Sequence, residues 1–316
     1  MKKRVFVAGA SGAIGRRLLP LLVAAGFEVT GTTTTPAKIA TIEAAGARGI
    51  VLDGLDLASV GRAVSEAHPD VVIHELTSLA AMGGNPRKFG QDFATTNRLR
   101  TEGTDHLLAA AVAAGAQRFI AQSYTGWPNE PTGSLIKVET DPLDPTPAAA
   151  SLKTVEAIRY LENAVTHTAG IDGMALRYGS LYGPGTGLGK GGGLLEMVAG
   201  RRFPLVAGGA GVWSFCDVDD AAAATVAAVT HGKPGIYNIV DDQPAPVSRW
   251  LPYLAESIGA KPPMRLPAWI AGPLVGDMGM SMITRIRGSS NAKAREELAW
   301  QPSYSSWRQG FESGLE

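Results

Sequence analysis

Three glycines at three-residue intervals lie near the N-terminus, in the segment GASGAIG. They follow a short apolar run at 4–9, RVFVAG, and precede a helical pattern at 14–26. Glycine permits a tight turn and a close approach of the backbone to a pyrophosphate, while a helix N-terminus offers N–H groups and a positive dipole end. The spacing therefore predicts a dinucleotide-binding loop. The predicted contacts are Gly9, Ser11, Gly12, Ala13, Ile14 and Gly15.

The end of the second predicted strand bears on the choice of nicotinamide cofactor. An acidic residue at this place would bind the ribose 2′-hydroxyl and select NAD. The place falls at Thr33, followed by Thr34, and neither is a carboxylate. Together with Lys38, these side chains could bind a 2′-phosphate, so the sequence favours NADP over NAD. The alternative is that threonines 32–35 only supply β-branched residues to the strand.

Short β-rich runs alternate with helical patterns along the first half of the chain. The strand-like runs are 4–9, 27–33, 49–53, 70–77, 118–123 and 173–179, and the helical patterns are 14–26, 36–45, 56–67, 93–115 and 147–169. Such alternation is typical of right-handed βαβ units and a mostly parallel sheet. We predict an α/β fold with a doubly wound Rossmann sheet in 1–178 and 212–242. A smaller substrate-binding part would comprise 179–211 and 243–316.

Composition excludes several classes of function. The 316 residues include 29 Lys and Arg and 29 Asp and Glu, so no net field favours nucleic acid or an acidic membrane. No run approaches about 18 apolar residues, and the histidines lack metal-ligand spacing. The single cysteine, Cys216, precludes an internal disulfide and fits a reducing compartment. We expect a cytoplasmic protein that binds a small molecule, without nucleic acid, membrane or metal.

Several further motifs resemble one family. They are DVVIH at 70–74, LRYGSLYGPG at 176–185, WSFCDVDDAA at 213–222 and SSNAKAREELAWQP at 289–302. With the glycine loop, they resemble the extended branch of the short-chain dehydrogenase/reductases, the NAD-dependent epimerase/dehydratase family, over almost the whole chain. The resemblance implies further cofactor contacts. These are Asp53, Leu76, Thr77, Asn97, Lys153 and Tyr178.

The catalytic pair of the superfamily is incomplete in this sequence. The resemblance implies a Tyr-x-x-x-Lys pair near residue 150, in which the tyrosine acts as acid or base and the lysine holds the ribose. The lysine matches Lys153, but Ala149 stands at the tyrosine position. At the end of the fifth strand, Ser123 precedes Tyr124, which falls where the family has serine or threonine. We interpret Ser123, Tyr124 and Lys153 as catalytic. Alternatively, Tyr124 is a pocket wall and Lys153 a solvated helix residue.

The resemblance also places a substrate over the carboxyl ends of the strands. The residues implied there are Glu75, Trp127, Ser180 and Tyr182. Glu75 is unusual because a carboxylate on an apolar strand must find a partner or shift its pKa.

The resulting hypothesis is an atypical NAD(P)-dependent oxidoreductase that transfers a hydride to or from a small carbonyl or hydroxyl compound. The alternatives are a sugar-nucleotide epimerase or dehydratase, and a non-catalytic NAD(P)-binding regulator. The resemblance further implies a possible homodimer, paired through the helices after Phe93 and Ser151.

Overall fold

A computed structural model describes residues 2–79 and 88–315. The strands are β1 (Arg4–Ala8), β2 (Glu28–Thr33), β3 (Arg48–Val51), β4 (Val71–His74), β5 (Arg118–Tyr124), β6 (Ile136–Lys137), β7 (Asp172–Tyr178), β8 (Ser180–Tyr182), β9 (Leu205–Val206), β10 (Val212–Trp213), β11 (Phe215–Asp217), β12 (Gly235–Ile239), β13 (Ala245–Pro246), β14 (Arg265–Leu266) and β15 (Gly288–Ser289). The helices are α1 (Ala13–Ala24), α2 (Ile39–Ala44), α3 (Leu57–Ala67), α4 (Phe89–Asp92), α5 (Ala94–Arg98), α6 (Thr104–Ala113), α7 (Leu152–His167), α8 (Gly193–Ala199), α9 (Val218–Thr230), α10 (Val247–Ser257), α11 (Ala268–Thr284), α12 (Ala292–Glu297) and α13 (Trp307–Ser313).

The central sheet has seven parallel strands in the order β12-β7-β5-β4-β1-β2-β3. The inner strands β1, β4 and β7 are almost entirely buried, as expected when helices cover both faces of a parallel sheet. The chain crosses over between β1 and β4, so the sheet has a switch point beside β1. Ligands of doubly wound sheets bind at the carboxyl edge near this point. The predicted Rossmann fold is confirmed.

Three apolar clusters hold the molecule together. One packs α1 and α9 against one face of the sheet, and a second packs α3, α6 and α7 against the other. The third joins the later segments, including α10 and α13, to side chains near the end of β5. This third cluster brings the predicted substrate-binding part over the carboxyl edge of the sheet, although the exact division of the chain into two parts remains a prediction.

Two helices differ from the sequence prediction. The predicted helix at 93–115 is interrupted by a π-helical segment, Leu99–Gly103, between α5 and α6. The helix predicted from residue 147 begins only at Leu152, because residues 148–151 form a turn closed by the Ser151 amide on the Ala148 carbonyl. Ala149 therefore lies outside the helix, in an exposed turn.

Within residues 2–79 and 88–315, the structure contains no helix that is both long and apolar enough to span a bilayer. The same residues form no cluster of three or more His, Cys, Asp or Glu side chains suited to a metal ion.

Candidate active site

The loop between β1 and α1 is a tight backbone turn. Gly9 has a φ of +96°, and a Cβ there would lie 2.6 Å from the Glu75 carbonyl oxygen. A Cβ on Gly15 would lie 2.4 Å from the Gly9 carbonyl oxygen, which is backbone and has little freedom to move. The Gly12 amide donates to this same carbonyl at 3.0 Å. Glycine is therefore required for steric reasons at both ends of the turn.

The N-terminus of α1 is suited to an anion. Gly12 is the extended residue before this twelve-residue helix, no side chain caps it, and its first turn contains no acidic residue. The first amides of a helix have no partner within it and carry the positive end of the dipole. The loop and the helix start thus form an open backbone cradle that fits the diphosphate of a dinucleotide.

The end of β2 is tied to this cradle. The hydroxyl groups of Ser11 and Thr33 lie 2.9 Å apart, and Thr33 also accepts from the Thr35 amide at 3.2 Å. Thr34 and Lys38 are exposed. Of the three residues predicted to meet a 2′-phosphate, Thr33 is thus already bonded to the loop, while Thr34 and Lys38 face solvent.

The other predicted cofactor residues lie along the same edge of the sheet. Asp53 and Thr77 are exposed, and Leu76 is half-buried. Asn97 donates from Nδ2 to the Thr154 hydroxyl at 3.0 Å, while its Oδ1 has no partner among the described residues. Asn97 can therefore still accept a hydrogen bond. The roles of these residues in cofactor binding remain predictions.

Glu75 lies directly below the loop, in a buried polar chain. Its Oε1 is 2.9 Å from the Tyr178 phenol, which is 2.7 Å from the Thr225 hydroxyl. Thr225 donates its own hydrogen to the Ala221 carbonyl, so Tyr178 has one hydrogen for two contacts. A protonated Glu75 supplies the missing one. Burial raises the pKa of Glu75 to about 8, in keeping with this count.

This arrangement places two predicted ligand contacts beneath the backbone cradle. Glu75 is 5% exposed and Tyr178 is fully buried, so the phenol faces the core rather than an open cleft. Glu75 Oε2 has no hydrogen-bond partner among the described residues. His74, the preceding residue, is neutral, because burial lowers its pKa to about 4.

An aromatic corner, defined as Phe89, Phe93, Tyr124 and Trp127, lies at the end of β5. The Trp127 ring is 5.5 Å from that of Tyr124 and 5.1 Å from that of Phe89, and Phe89 stacks on Phe93 at 4.3 Å. The Tyr124 hydroxyl lies 3.0 Å from that of Ser180. Burial raises the pKa of Tyr124, so the phenol keeps its proton at neutral pH. Tyr124, Trp127 and Ser180 are thus brought together, as predicted.

Ser123 points elsewhere. Successive side chains of a strand face opposite sides of the sheet, and the Ser123 hydroxyl donates to Glu162 Oε1 at 2.7 Å. Glu162 also accepts two bonds from Arg177, at 2.6 and 2.7 Å. This network is buried between β5, β7 and α7. Ser123 therefore has a structural partner, and its catalytic role remains a prediction.

Two other predicted residues are not part of the aromatic corner. Lys153 is exposed on the first turn of α7, with no hydrogen bond or ion pair to the described residues. Tyr182 is fully buried, and its ring contacts Tyr304 and Phe311 edge-on. The structure thus places Tyr182 in the core of the C-terminal segments, and its contact with substrate remains a prediction.

Sequence reasoning missed Arg100, which lies in the π-helical segment. It is 3% exposed, its Nη1 has no partner among the described residues, and its guanidinium carbon is 5.9 Å from the centre of the Phe93 ring. A signal was present in the sequence. By helical spacing, Arg100 falls on the same face as Phe93 and Leu107, where a charge requires an explanation.

Comparison with known proteins agrees with the fold. The family model of the NAD-dependent epimerase/dehydratase family matches residues 5–240. The dTDP-glucose 4,6-dehydratase DesIV of Streptomyces venezuelae, solved with NAD and TYD bound, has a TM-score of 0.75 and 20% identity. That comparison covers 99% of this chain and 95% of DesIV. At this identity, it shows a shared fold only.

Two relatives carry reductase names. A 3-diazoavenalumate denitrifying reductase from a Streptomyces species is 43% identical over 311 residues, covering 98% of this chain and 99% of the relative. A ketoreductase of Stigmatella aurantiaca, named for a farnesylated dihydroquinoline oxide, is 28% identical over 263 residues, covering 82% of this chain and 74% of the relative. The family and these relatives support an NAD-dependent oxidoreductase. The chain belongs to the NAD-dependent epimerase/dehydratase family.

Proposed function

We propose that this protein is an NAD(P)H-dependent reductase that delivers a hydride to a small acceptor without a proton from α7. The proposal rests on which residue stands at the tyrosine position of the Tyr-x-x-x-Lys site. By the family resemblance, Ala149 stands at the tyrosine position, and it lies in an exposed turn before the helix. Alanine has no proton to transfer, so an acceptor that needs none suits this site best.

An aryl diazo compound meets this requirement. Hydride addition to the terminal nitrogen of an aryldiazonium ion gives an aryldiazene, Ar–N=N–H. Loss of N2 from the diazene leaves the hydrogen on carbon as Ar–H. The positive charge of the acceptor passes to the oxidised nicotinamide, so the overall reaction takes up and releases no proton. The 43% identical relative is named as a denitrifying reductase of a diazo compound, which supports this class of acceptor.

The residues of this chain would hold the cofactor and shield the acceptor. When bound, a reduced nicotinamide supplies the hydride. The amides of the Gly9–Gly15 loop and the start of α1 would hold the diphosphate, and Lys153 would hold the nicotinamide ribose. The aromatic corner would exclude water from the acceptor. We propose NADP rather than NAD, because β2 ends without a carboxylate and Lys38 is exposed nearby in sequence.

Turnover assays test this proposal directly. The protein would be mixed with NADPH or NADH and 3-carboxybenzenediazonium, and cofactor oxidation would be followed together with benzoate formation. We expect one benzoate per cofactor oxidised, above the protein-free rate, in the wild type and in Tyr124→Phe alike. No gain over the protein-free rate with either cofactor would refute the diazo proposal.

Ketone reduction is the second candidate, because Tyr124 is a protonated phenol 3.0 Å from Ser180 and one relative is named a ketoreductase. A ketone needs a proton on oxygen, and a positioned acid contributes about 10²–10⁴-fold. If Tyr124 is that acid, Tyr124→Phe would lose this factor with ketones and nothing with the diazonium. A sugar-nucleotide epimerase would instead interconvert UDP-glucose and UDP-galactose without net cofactor oxidation. A regulator would bind cofactor and turn over none of these compounds.

A homodimer through α6 and α7 is a further proposal. Val112, Leu152 and Tyr160 on these helices are apolar or aromatic and between 41% and 44% exposed. Light scattering after size-exclusion chromatography tests it, and a monomer at micromolar concentration would rule it out.

A further inference from the structure

We infer that Arg100 binds the negatively charged group of an aromatic acid whose ring packs in the aromatic corner. The inference rests on the proposed reductase function, because it names the class of acceptor for the same site. It rests on the buried position of Arg100 and on the hydrogen bonds that Glu162 makes to other residues.

Arg100 is buried and has a donor nitrogen without a hydrogen-bond partner among the described residues. The residue is 3% exposed, and the unpartnered donor is Nη1. A buried ion without a partner is strongly unfavourable. Burial lowers the pKa of Arg100 to about 10, so it remains a cation at neutral pH. Such a group is expected where a ligand supplies the missing negative charge.

A candidate counter-ion inside the protein, Glu162, is mainly engaged with other residues. Glu162 favours the charged form of Arg100 electrostatically. Its two oxygens, however, accept two bonds from Arg177 and one from Ser123. Residues 80–87, which lie outside the described part of the chain, contain no Asp or Glu in sequence. Since no carboxylate of the described residues bonds Arg100, we infer that a ligand supplies one.

The comparison with Arg177 shows that the fold can pair a buried arginine when the role is structural. Arg177 makes a bidentate bond to Glu162, with 5% and 6% of the two side chains exposed. Arg100 is equally buried and has no such partner. The difference indicates that the free donor of Arg100 is kept for binding.

The surroundings of Arg100 specify an aromatic acid. The guanidinium lies 5.9 Å from the Phe93 ring, and Phe93 packs with Phe89 and Trp127 in the aromatic corner. A planar ring would pack against these side chains, and its carboxylate or phenolate oxygen would accept from Nη1. A sugar-nucleotide lacks this combination of a planar ring and a single negative charge.

Calorimetric titration with trans-cinnamate and the neutral cinnamamide tests the inference without any turnover. Both ligands would be titrated into the full-length protein, with and without NADP⁺. Charge-assisted hydrogen bonds lead us to expect cinnamate to bind about ten- to a hundredfold more tightly than cinnamamide in at least one state. In Arg100→Met this preference should vanish, while cinnamamide affinity changes less than threefold.

Two further variants control for folding and for general charge. Arg98→Met removes an exposed arginine two residues away, paired with Glu102 at 2.7 Å, and should keep the full preference. Arg100→Lys should keep part of it. Equal affinities in the wild type, no cinnamate binding at 10 mM, or a preference that survives Arg100→Met would each overturn the inference. If the protein prefers cinnamate but does not reduce 3-carboxybenzenediazonium in the turnover assay, the proposed function is refuted and the anion site is retained.

Discussion

The dinucleotide loop and the aromatic corner lie at the same edge of one sheet and are built from different parts of the chain. The loop consists of backbone held by Gly9 and Gly15, whereas the aromatic corner consists of side chains from the α4–α5 region, β5 and the following loop. A backbone site keeps its ligand as long as its glycines remain. A side-chain site changes its chemistry with each substitution. The proposed cofactor cradle can therefore be retained in a chain whose side-chain site differs.

The two regions also differ in the charge buried beneath them. Glu75 lies under the loop and is neutral near pH 7, because its pKa is raised to about 8. Arg100 lies under the aromatic corner and is charged. A neutral acid does not repel a diphosphate above it, and a cation attracts an acidic acceptor. Variants that affect one region and spare the other therefore test whether the two are independent.

The largest effect on stability is expected at the buried ion pair of Arg177 and Glu162. Arg177→Met should lower the free energy of unfolding by about 3–5 kcal/mol, because Glu162 would remain buried and charged without its partner. Urea denaturation followed by circular dichroism measures this loss. The double variant Arg177→Met/Glu162→Met should recover most of it, since an apolar pair removes the orphan charge. A single-variant loss below about 1 kcal/mol would contradict the prediction.

A substitution in the dinucleotide loop should mainly affect cofactor binding. Gly15→Ala would place a methyl group 2.4 Å from the Gly9 carbonyl. Overpacking of about 1–3 kcal/mol should weaken NADPH binding about ten- to a hundredfold. Titration of NADPH fluorescence gives the affinity. Gly61→Ala is the matched control, because a Cβ there meets no atom within 4 Å. Equal NADPH affinity in both variants would show that the loop tolerates displacement.

The pH dependence of stability should report on Glu75. Its pKa is raised in the folded state, from 4.5 to about 8, so the folded protein binds more protons in this window. Its stabilising contribution is complete below pH 4.5 and is lost as the pH rises towards 8. Relative to Glu75→Gln, the wild type should lose up to about 1.4 kcal/mol per pH unit. Thermal unfolding between pH 5 and pH 8 measures the difference, and parallel profiles would mean that Glu75 is ionised throughout.

The smallest effect concerns cofactor choice. Lys38→Ala removes an exposed ammonium, and exposed ion pairs contribute about 0.2–1 kcal/mol. We expect up to about fivefold weaker NADPH binding at low salt, and no change for NADH. The affinity of the same variant for NADH serves as the control. An equal loss of NADH affinity would show that Lys38 contacts a part of the cofactor that NADH and NADPH share.

The features that sequence predicts well here are local ones. The glycine turn, the apolar run of β4 and the alternation of strands with helices each depend on neighbouring residues, and all three are confirmed. The Glu75–Tyr178 contact joins residues 103 positions apart, so no local pattern specifies it. The pairing of Ser123 with Glu162 depends in the same way on how α7 packs against β5 and β7.

The predicted start of α7 and the predicted continuous helix at 93–115 were wrong for another reason. Residues 148–151 have good helical propensity, but the fold closes them into a turn. The π segment likewise follows from packing rather than from composition. Arg100 could have been found from its place on the helix face of Phe93 and Leu107, but its missing partner could not, since that requires knowing where Glu162 lies.

The π-helical segment Leu99–Gly103 also has a consequence for how this site can diversify. A π turn holds one residue more than an α turn, so deleting a single residue there would convert it into an α turn without rotating the flanking segments relative to each other. The side chain presented to the aromatic corner would then be a different one, while the flanking turns kept their own contacts. Loss of one residue in this segment would therefore alter the aromatic corner while the rest of the helix stayed in place.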